Sequence, residues 1–313
     1  MRTREVLEPA AGESDVALVN LSDLSEIELL ILKRMKEFTL GEHASQFRGS
    51  GFDFVGLRDW QPGDRMAQID WPQSTMTNFS PMVVREFEQP STAPVVAVAD
   101  RSLSTRCGSH GVPIAAAVAR AIGTIGLSAV FFQDLFGLIT FDAGFTDLLA
   151  VRPRIGKNQV IHCLDAYDSS RGLLEIKKAD SLSMSIAGFL RKTTLVPVIS
   201  DFLFDDAPDA IRELSLLNTS HDVFLVLIDS AFAFDVPPVS SGWVEAFDVE
   251  TGRSRVVSRR TLAALASRAA DWQREVERTA KAANLDVLRL GIDEEKSTIA
   301  LTEFIAERRL RKK

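Results

Sequence analysis

The stretch TAPVVAVADRSLST, at residues 92–105, constrains the fold of this chain more than any other. Its apolar run Pro94–Ala99 is rich in β-branched valine and predicts a short strand buried on both faces. Asp100, Ser102 and Ser104 follow at alternate positions, just past the carboxyl end of that strand, where open α/β sheets bind their ligands. One carboxylate and two hydroxyls suit a hard cation such as Mg²⁺. The alternative is that they only turn the chain and cap the next helix.

Beyond that strand, strand and helix patterns alternate, which predicts a mostly parallel sheet with helices on both faces. The predicted strands are Pro94–Ala99, Phe136–Phe141, Asp147–Val151, Thr194–Ser200, Asp222–Ile228 and Leu285–Leu290. The predicted helices are Pro113–Phe132, Asn158–Ala166, Leu182–Arg191, Asp209–Leu217, Thr261–Ala283 and Thr298–Leu310. An edge hairpin is predicted from Phe232–Val236, Trp243–Asp248 and Ser254–Val257.

Composition and charge narrow the class of protein. The 313 residues are 46% hydrophobic and 25% charged, which is typical of a globular chain with a sizeable core. The net charge of −7 does not favour nucleic acid or an anionic membrane as partner. The two cysteines, Cys107 and Cys163, match no disulfide framework or metal motif and indicate a reducing compartment. Because the first residues also lack the apolar segment of a signal peptide, we expect a cytoplasmic protein.

One segment, Val112–Phe132, approaches the length of a membrane span. Arg120 lies in its middle, and a strand-like run follows it at once. Both features favour a buried core helix over a transmembrane helix. We therefore expect no membrane insertion.

The first 90 residues are predicted to precede the sheet domain as a helix-and-loop module. Residues 1–17 are polar and aperiodic, which indicates disorder. Leu24–Phe38 has the spacing of an amphipathic helix, and Met82–Phe87 resembles a strand. We accordingly divide the chain into a disordered N-terminus at 1–17, a module at 18–90 and an α/β domain at 91–313.

The long loop Gly49–Ser74 within that module carries an unusual mixture of side chains. Arg58, Asp64 and Asp70 lie close in sequence to the indole of Trp71. Charges of both signs beside aromatic rings indicate a half-buried salt-bridge network, which is either structural or a docking surface. The sequence favours neither alternative.

Several blocks of sequence between Gly41 and Ser104 resemble the bacterial family called domain of unknown function 58. The blocks are G-S-G-F-D-F, L-R-D-W-Q-P-G-D-R, I-D-W, V-V-R-E-F-E and V-A-V-A-D-R-S-L-S. Beyond Ser104 the resemblance depends on the order of elements and on F-G-L-I-T-F and V-I-S-D-F. It implies a von Willebrand factor A-like α/β domain, no demonstrated catalysis, and partnership with AAA+ ATPases of the MoxR type.

The resemblance also implies a metal-ion-dependent adhesion site. Ser102 and Ser104 would ligate Mg²⁺ or Mn²⁺ directly, while Asp100 and Asp201 would act partly through water. Asp201 directly follows a predicted strand, as Asp100 does, although it could instead cap the next helix. Such sites usually take a threonine from a later loop, and this chain has none at the corresponding place.

Two classes of function are compatible with these residues. The first is a non-catalytic protein-interaction module that acts with a MoxR-type ATPase in the assembly or maturation of another protein. The alternative is a metal-dependent hydrolase that uses the same carboxylates and a metal-bound water. The histidines lie in no catalytic motif, so we expect that the protein is not an enzyme. These are His43, His110, His162 and His221.

Overall fold

The computed structural model describes residues 18–40, 53–62, 66, 69–88, 94–109, 112–142, 145, 147–230, 233, 243–248, 253–291 and 293–311. Within these residues the strands are β1 Asp53–Asp59, β2 Val83–Glu88, β3 Pro94–Asp100, β4 Gly108–Ser109, β5 Val112–Pro113, β6 Leu135–Phe141, β7 Leu148–Arg154, β8 Leu174–Glu175, β9 Leu195–Ser200, β10 Asp222–Ile228, β11 Trp243–Asp248, β12 Arg253–Ser258 and β13 Asp286–Leu290. The helices are α1 Leu21–Leu40, α2 Trp71–Met76, α3 Ile114–Phe131, α4 Lys157–Ser169, α5 Leu182–Phe189, α6 Ala207–Leu217, α7 Arg259–Ala282 and α8 Glu294–Arg311.

The central sheet has seven strands in the order β13-β10-β9-β3-β6-β7-β8. The five strands from β13 to β6 run parallel, whereas β7 pairs antiparallel with β6, and β8 antiparallel with β7. The chain moves from β3 to β6 on one side and returns later to β9 on the other. The strand order therefore reverses between β3 and β9, which opens a crevice at their carboxyl ends.

Helices cover both faces of this sheet. On one face α1, α3, α4 and α8 pack in the cluster that contains Val95, Ala97 and Ala99 of β3. On the other face α5, α6 and α7 pack in the cluster that contains Val96 and Val98. Successive side chains of a strand point to opposite faces, so a strand covered on both sides is apolar throughout. The predicted fold class, a von Willebrand factor A-like mostly parallel sheet with helices on both faces, is confirmed.

Helix α3 is the apolar segment whose length approaches that of a membrane span. It is the one helix among the described residues that is long and apolar enough for this, and 72% of it is buried inside the folded chain. Its small residues allow close packing, since a Cβ added at Gly126 would lie 2.8 Å from Val160 of α4 and 2.9 Å from Phe136 of β6. The predicted buried core helix is confirmed.

Helix α1 contributes to the same core. Leu24, Ile27, Ile31 and Met35 recur every three or four residues and are buried in the cluster that also contains α3 and α8. The predicted amphipathic helix is therefore confirmed, with its apolar stripe against the domain. The division of the chain into 18–90 and 91–313 stays a prediction, and residues 1–17 lie outside the described residues.

The prediction that Gly49–Ser74 is a loop is wrong at two elements, β1 and the start of α2. Strand β1 pairs antiparallel with β2, and the short helix α2 follows. The register shifts between Phe54 and Gly56, which marks a bulge, and a strand with a glycine bulge shows little alternation in sequence. The pairing with β2 decides its conformation.

The predicted edge hairpin needs a correction. Strands β11 and β12 do pair antiparallel, but in a two-stranded sheet of their own and not at an edge of the central sheet. Apart from Ala233, the segment Phe232–Val236 lies outside the described residues. An isolated ribbon and an edge ribbon have the same local pattern, so the sequence could not distinguish them.

Strand β9 holds a proline inside the sheet. Pro197 pairs with Phe224 in a continuous ladder with β10. The ladder with β3 instead passes from Val95–Leu195 to Val98–Val198 without a pair between them. Proline has no N–H to donate, so Pro197 interrupts one of the two ladders of β9. The interrupted ladder is the one with β3, and the ladder with β10 is continuous.

Candidate metal centre

The carboxyl ends of β3 and β9 bring the four predicted metal-site residues to one edge of the sheet. The two strands are parallel neighbours, with Ala99 opposite Ile199, so Asp100 is aligned with Ser200 and Asp201 follows next. A 3₁₀ turn, Leu103–Arg106, follows Asp100, with Ser102 as its N-cap residue and Ser104 within it. This is the crevice in which doubly wound sheets bind ligands.

Asp100 is fully buried and hydrogen-bonded through both of its side-chain oxygens. Its Oδ1 accepts from the amide of Ser102 at 2.8 Å, and its Oδ2 accepts from the hydroxyl of Ser200 at 2.5 Å. Its backbone carbonyl accepts from the hydroxyl of Tyr167 at 2.8 Å. The 2.5 Å contact is short, as is usual where a hydroxyl meets a carboxylate.

The two predicted hydroxyl ligands lie side by side. The Oγ atoms of Ser102 and Ser104 are 2.8 Å apart. Thr105 is buried behind them, and its hydroxyl donates to the carbonyl of Ser102 at 2.7 Å. The loop is thus fixed by its own hydrogen bonds, and it presents two neutral oxygens together.

Asp201 is 1% exposed, and only one of its two carboxylate oxygens accepts a hydrogen bond from the described residues. Its Oδ1 accepts from the amide of Leu203 at 3.1 Å. Its Oδ2 is buried and accepts no hydrogen bond from any part of the chain that the structure describes. Buried polar atoms are nearly always paired, so an orphaned carboxylate oxygen indicates a missing partner. The alternative that Asp201 caps the next helix fails, because Asp206 is the N-cap residue of α6.

Burial disfavours the charged form of both carboxyl groups. Burial, and then the negative charge of Asp100, raise the pKa of Asp201 to about 7. Burial also raises the pKa of Asp100, against the opposing effect of hydrogen bonds from Ser200 and Ser102. Burial raises the pKa of Tyr167 as well, so its phenol stays protonated and donates. A positive charge beside both carboxylates would favour their ionised forms.

Three further residues, none of them a predicted site residue, hold the centre together. Ser200 bonds Asp100, and Tyr167 of α4 bonds the Asp100 carbonyl. Gln273 of α7 donates to the Asp201 carbonyl at 3.0 Å. Ser200 had a weak signal as the last residue of a predicted strand. Tyr167 and Gln273 had none, because their helical positions look like ordinary packing positions.

A hard cation fits this set of oxygens. The described residues contain no group of three or more His, Cys, Asp or Glu side chains that could hold a metal, so hydroxyls would have to complete the site. Ser102, Ser104 and the free Oδ2 of Asp201 supply oxygens of the kind that Mg²⁺ prefers. The threonine usual in such sites has no counterpart among the predicted ligands. The hydroxyl of Ser200 lies at the same edge, but it donates to Asp100 and accepts from the amide of Phe202.

Three of the four residues singled out in the N-terminal module are described: Arg58 lies in β1, and Asp70 and Trp71 lie at the start of α2. Asp70 is the N-cap of α2, with Oδ1 accepting from the amide of Gln73 at 3.1 Å. Arg58 is half-buried in β1, and Trp71 is 52% exposed. Asp64 lies outside the described residues. The predicted salt-bridge network therefore stays a prediction, while Asp70 has a capping role that was not predicted.

Comparison with known proteins gives remote structural matches and one family match. No curated protein matches the sequence. The similar solved structures include an aerotolerance-related membrane protein from Bacteroides fragilis NCTC 9343, with 16% identity, a TM-score of 0.39, and coverage of 69% of this chain and 99% of that one. The conserved hypothetical protein BatB from Bacteroides thetaiotaomicron has 15% identity, a TM-score of 0.37, and coverage of 69% and 98%. The pilus adhesin SpaC from Lactobacillus rhamnosus GG has 11% identity, a TM-score of 0.40, and coverage of 71% and 31%.

These TM-scores are below 0.5, so the fold assignment rests on the strand order described above. The family match is of a different kind. A family described as protein of unknown function DUF58 matches residues 56–282, well over half of the chain. The matched range includes β3, β9 and the residues of the candidate metal centre. The chain belongs to the DUF58 family.

Proposed function

We propose that this protein is a non-catalytic interaction module whose metal-ion-dependent adhesion-type site binds an acidic side chain of a partner protein. Asp100, Ser102, Ser104 and Asp201 would hold Mg²⁺ or Mn²⁺. The observation that carries the proposal is the buried Oδ2 of Asp201, which has no partner among the described residues and lies at the same sheet edge as the paired hydroxyls.

The division of roles follows from the hydrogen bonds. Asp100 has both carboxylate oxygens occupied, so it would orient the loop and act on the ion partly through water. Ser102 and Ser104 would ligate directly through neutral oxygens, and Asp201 would add its free oxygen. When bound, the ion supplies a Lewis-acidic centre with open positions, on which a partner's carboxylate completes the coordination.

The partner class comes from the family resemblance. It is a MoxR-type AAA+ ATPase, with which the protein would act in the assembly or maturation of another protein. A cytoplasmic location suits such a partner and the two cysteines, Cys107 and Cys163, which are not joined in a disulfide.

Calorimetry with Mn²⁺ tests the metal site first. We expect binding by the wild-type protein and loss of binding in Asp100→Ala and Asp201→Asn. Asp209→Asn is the matched control, because Asp209 is an exposed carboxylate on α6 that is paired with Arg212. If the wild-type protein binds neither Mn²⁺ nor Mg²⁺ at millimolar concentration, the loop is structural and the proposal fails.

Retention of the ATPase on the immobilised protein tests the partner. Retention should require divalent metal, fall in EDTA, and fall equally in Ser102→Ala while circular dichroism shows an intact fold. Equal retention in EDTA would exclude the metal-bridged contact. The surface from Arg58 to Trp71 would then be the better candidate for contact.

The alternative is a metal-dependent hydrolase that would use the same carboxylates and a metal-bound water. Magnesium-dependent hydrolysis of p-nitrophenyl phosphate that disappears in Asp201→Asn but persists in Asp209→Asn would replace the interaction role with an enzymatic one.

A further inference from the structure

Two consecutive side chains of α7 bind two consecutive carbonyls at the candidate metal centre. The indole Nε1 of Trp272 donates to the carbonyl of Phe202 at 2.7 Å. The amide Nε2 of Gln273 donates to the carbonyl of Asp201 at 3.0 Å. These carbonyls belong to the peptide groups on either side of the Phe202 α-carbon, so the pair clamps the backbone directly after Asp201.

The amide of Gln273 can have only one orientation. Its side chain is fully buried, and its Nε2 donates to the carbonyl of Ile228 at 2.9 Å as well as to that of Asp201. Its Oε1 accepts from Arg289, which is also paired with Asp229 at 3.0 Å. Because carbonyls only accept and guanidinium groups only donate, a flipped amide would lose all three hydrogen bonds. Gln273 thereby ties Asp201 to the ends of two other strands.

The clamped backbone is in a conformation that a bulky residue rarely adopts. Phe202 has a φ of +54° and is fully buried. The left-handed region is unfavourable for residues other than glycine, so such a conformation persists only where surrounding contacts hold it. The contacts here are the two α7 hydrogen bonds and the bond of 2.8 Å from the Phe202 amide to the hydroxyl of Ser200.

We propose that Trp272 and Gln273 are positioning residues of the metal centre. By fixing the peptides around Phe202, they keep Oδ1 of Asp201 on the amide of Leu203 and leave Oδ2 free for the cation. This inference rests on the proposed function, since it concerns the same site. Neither residue would touch the ion; both act through the peptide groups on either side of the Phe202 α-carbon.

Trp272→Phe and Gln273→Leu test the proposal. Trp272→Phe keeps an aromatic ring but removes the indole N–H together with part of the ring volume. Gln273→Leu keeps a similar volume and removes both N–H donors and the Oε1 acceptor. The matched controls are Trp243→Phe, at a tryptophan that is 62% exposed, and Gln73→Leu, at an exposed position of α2. The measurements are the Kd for Mn²⁺, by calorimetry and by electron paramagnetic resonance, and the free energy of unfolding in EDTA.

We expect Gln273→Leu to weaken Mn²⁺ binding by about 10- to 100-fold, the range typical of residues that orient metal ligands. Trp272→Phe should weaken binding by about tenfold by the same reasoning, with an altered Mn²⁺ spectrum, and the controls should bind as the wild type does. A purely structural role predicts lower stability with an unchanged Kd and spectrum, and that result would overturn the inference. If Gln273→Leu does not fold, the milder Trp272→Phe decides alone. A wild-type protein that binds no Mn²⁺ would overturn the proposed function itself, and this inference with it.

Discussion

The hydroxyl of Tyr167 donates a hydrogen bond of 2.8 Å to the backbone carbonyl of Asp100. Tyr167 is the only tyrosine in the chain and lies on α4, which packs on one face of the sheet. Gln273 of α7 holds the carbonyl of Asp201 from the other face. The two aspartates of the candidate metal centre are therefore anchored from opposite sides of the sheet.

Tyr167→Phe should lower the free energy of unfolding by about 1–2 kcal/mol, because a buried carbonyl loses its donor while the ring and its packing remain. Urea denaturation followed by circular dichroism measures the change. The control is Phe79→Tyr, at a phenylalanine that is 49% exposed, and it should leave the free energy of unfolding unchanged. Phe136→Tyr would be unsuitable as a control, because Phe136 is fully buried. An unchanged urea midpoint in Tyr167→Phe would show that the hydrogen bond does not stabilise the loop.

In EDTA, the free energy of unfolding should decrease as pH rises from about 4 to about 8. The pKa of Asp201 is about 7 in the folded chain, against an ordinary value of 3.8, so the folded state binds more protons than the unfolded state in this interval. Stability is then greatest below the unfolded pKa and is lost as pH rises through the folded one. Burial raises the pKa of Asp100 as well, which acts in the same direction.

Urea titrations at several pH values would measure this dependence. Asp201→Asn should flatten the profile, and Asp209→Asn, at an exposed carboxylate, should not. Saturating Mg²⁺ should restore stability at pH 8 if the centre binds the ion. A wild-type profile in EDTA no steeper than that of Asp201→Asn would contradict the raised pKa.

Asp70→Ala should lower the free energy of unfolding by at least about 1 kcal/mol, the usual effect of removing an N-cap, because the amide of Gln73 loses its acceptor. Breaking a buried ion pair would cost about 3–5 kcal/mol instead, so thermal or urea unfolding distinguishes the cap from the predicted salt-bridge network. Trp71→Ala, at a half-exposed side chain, should change stability by no more than about 0.5 kcal/mol. Lost partner binding in Trp71→Ala at unchanged stability would identify a docking surface.

Gly126→Ala should destabilise the protein by about 1–3 kcal/mol even though alanine favours helices. The added Cβ would lie 2.8 Å from Val160 and 2.9 Å from Phe136, too close for either buried neighbour. Gly188→Ala in α5 is the matched control, since nothing lies within 4 Å of its Cβ position. The control should be neutral or stabilising by up to about 1 kcal/mol, and equal effects at both positions would contradict the tight α3–α4 packing.

Much of the fold could be predicted because its signals are local. The apolar run of β3, the three- and four-residue spacing in α1 and the alternation of strands with helices depend only on neighbours in the chain. The same holds for Asp100, Ser102 and Ser104, whose places after β3 follow from their order in sequence. Strand β1 lacked such a signal, because a glycine bulge interrupts it and its conformation depends on pairing with β2.

The sequence by itself determined which oxygens stand at the ends of β3 and β9, and only the tertiary structure decided what holds them there. The hydrogen bonds that hold Asp100 and Asp201 join residues far apart in sequence. The separation is 100 residues for Ser200 and Asp100, 67 for Tyr167 and Asp100, and 72 for Gln273 and Asp201. No spacing rule connects residues so far apart, since their contact exists only once both faces of the sheet are covered. The orphaned Oδ2 of Asp201 is likewise a property of packing, because burial both removes water from the carboxylate and decides which donors reach it.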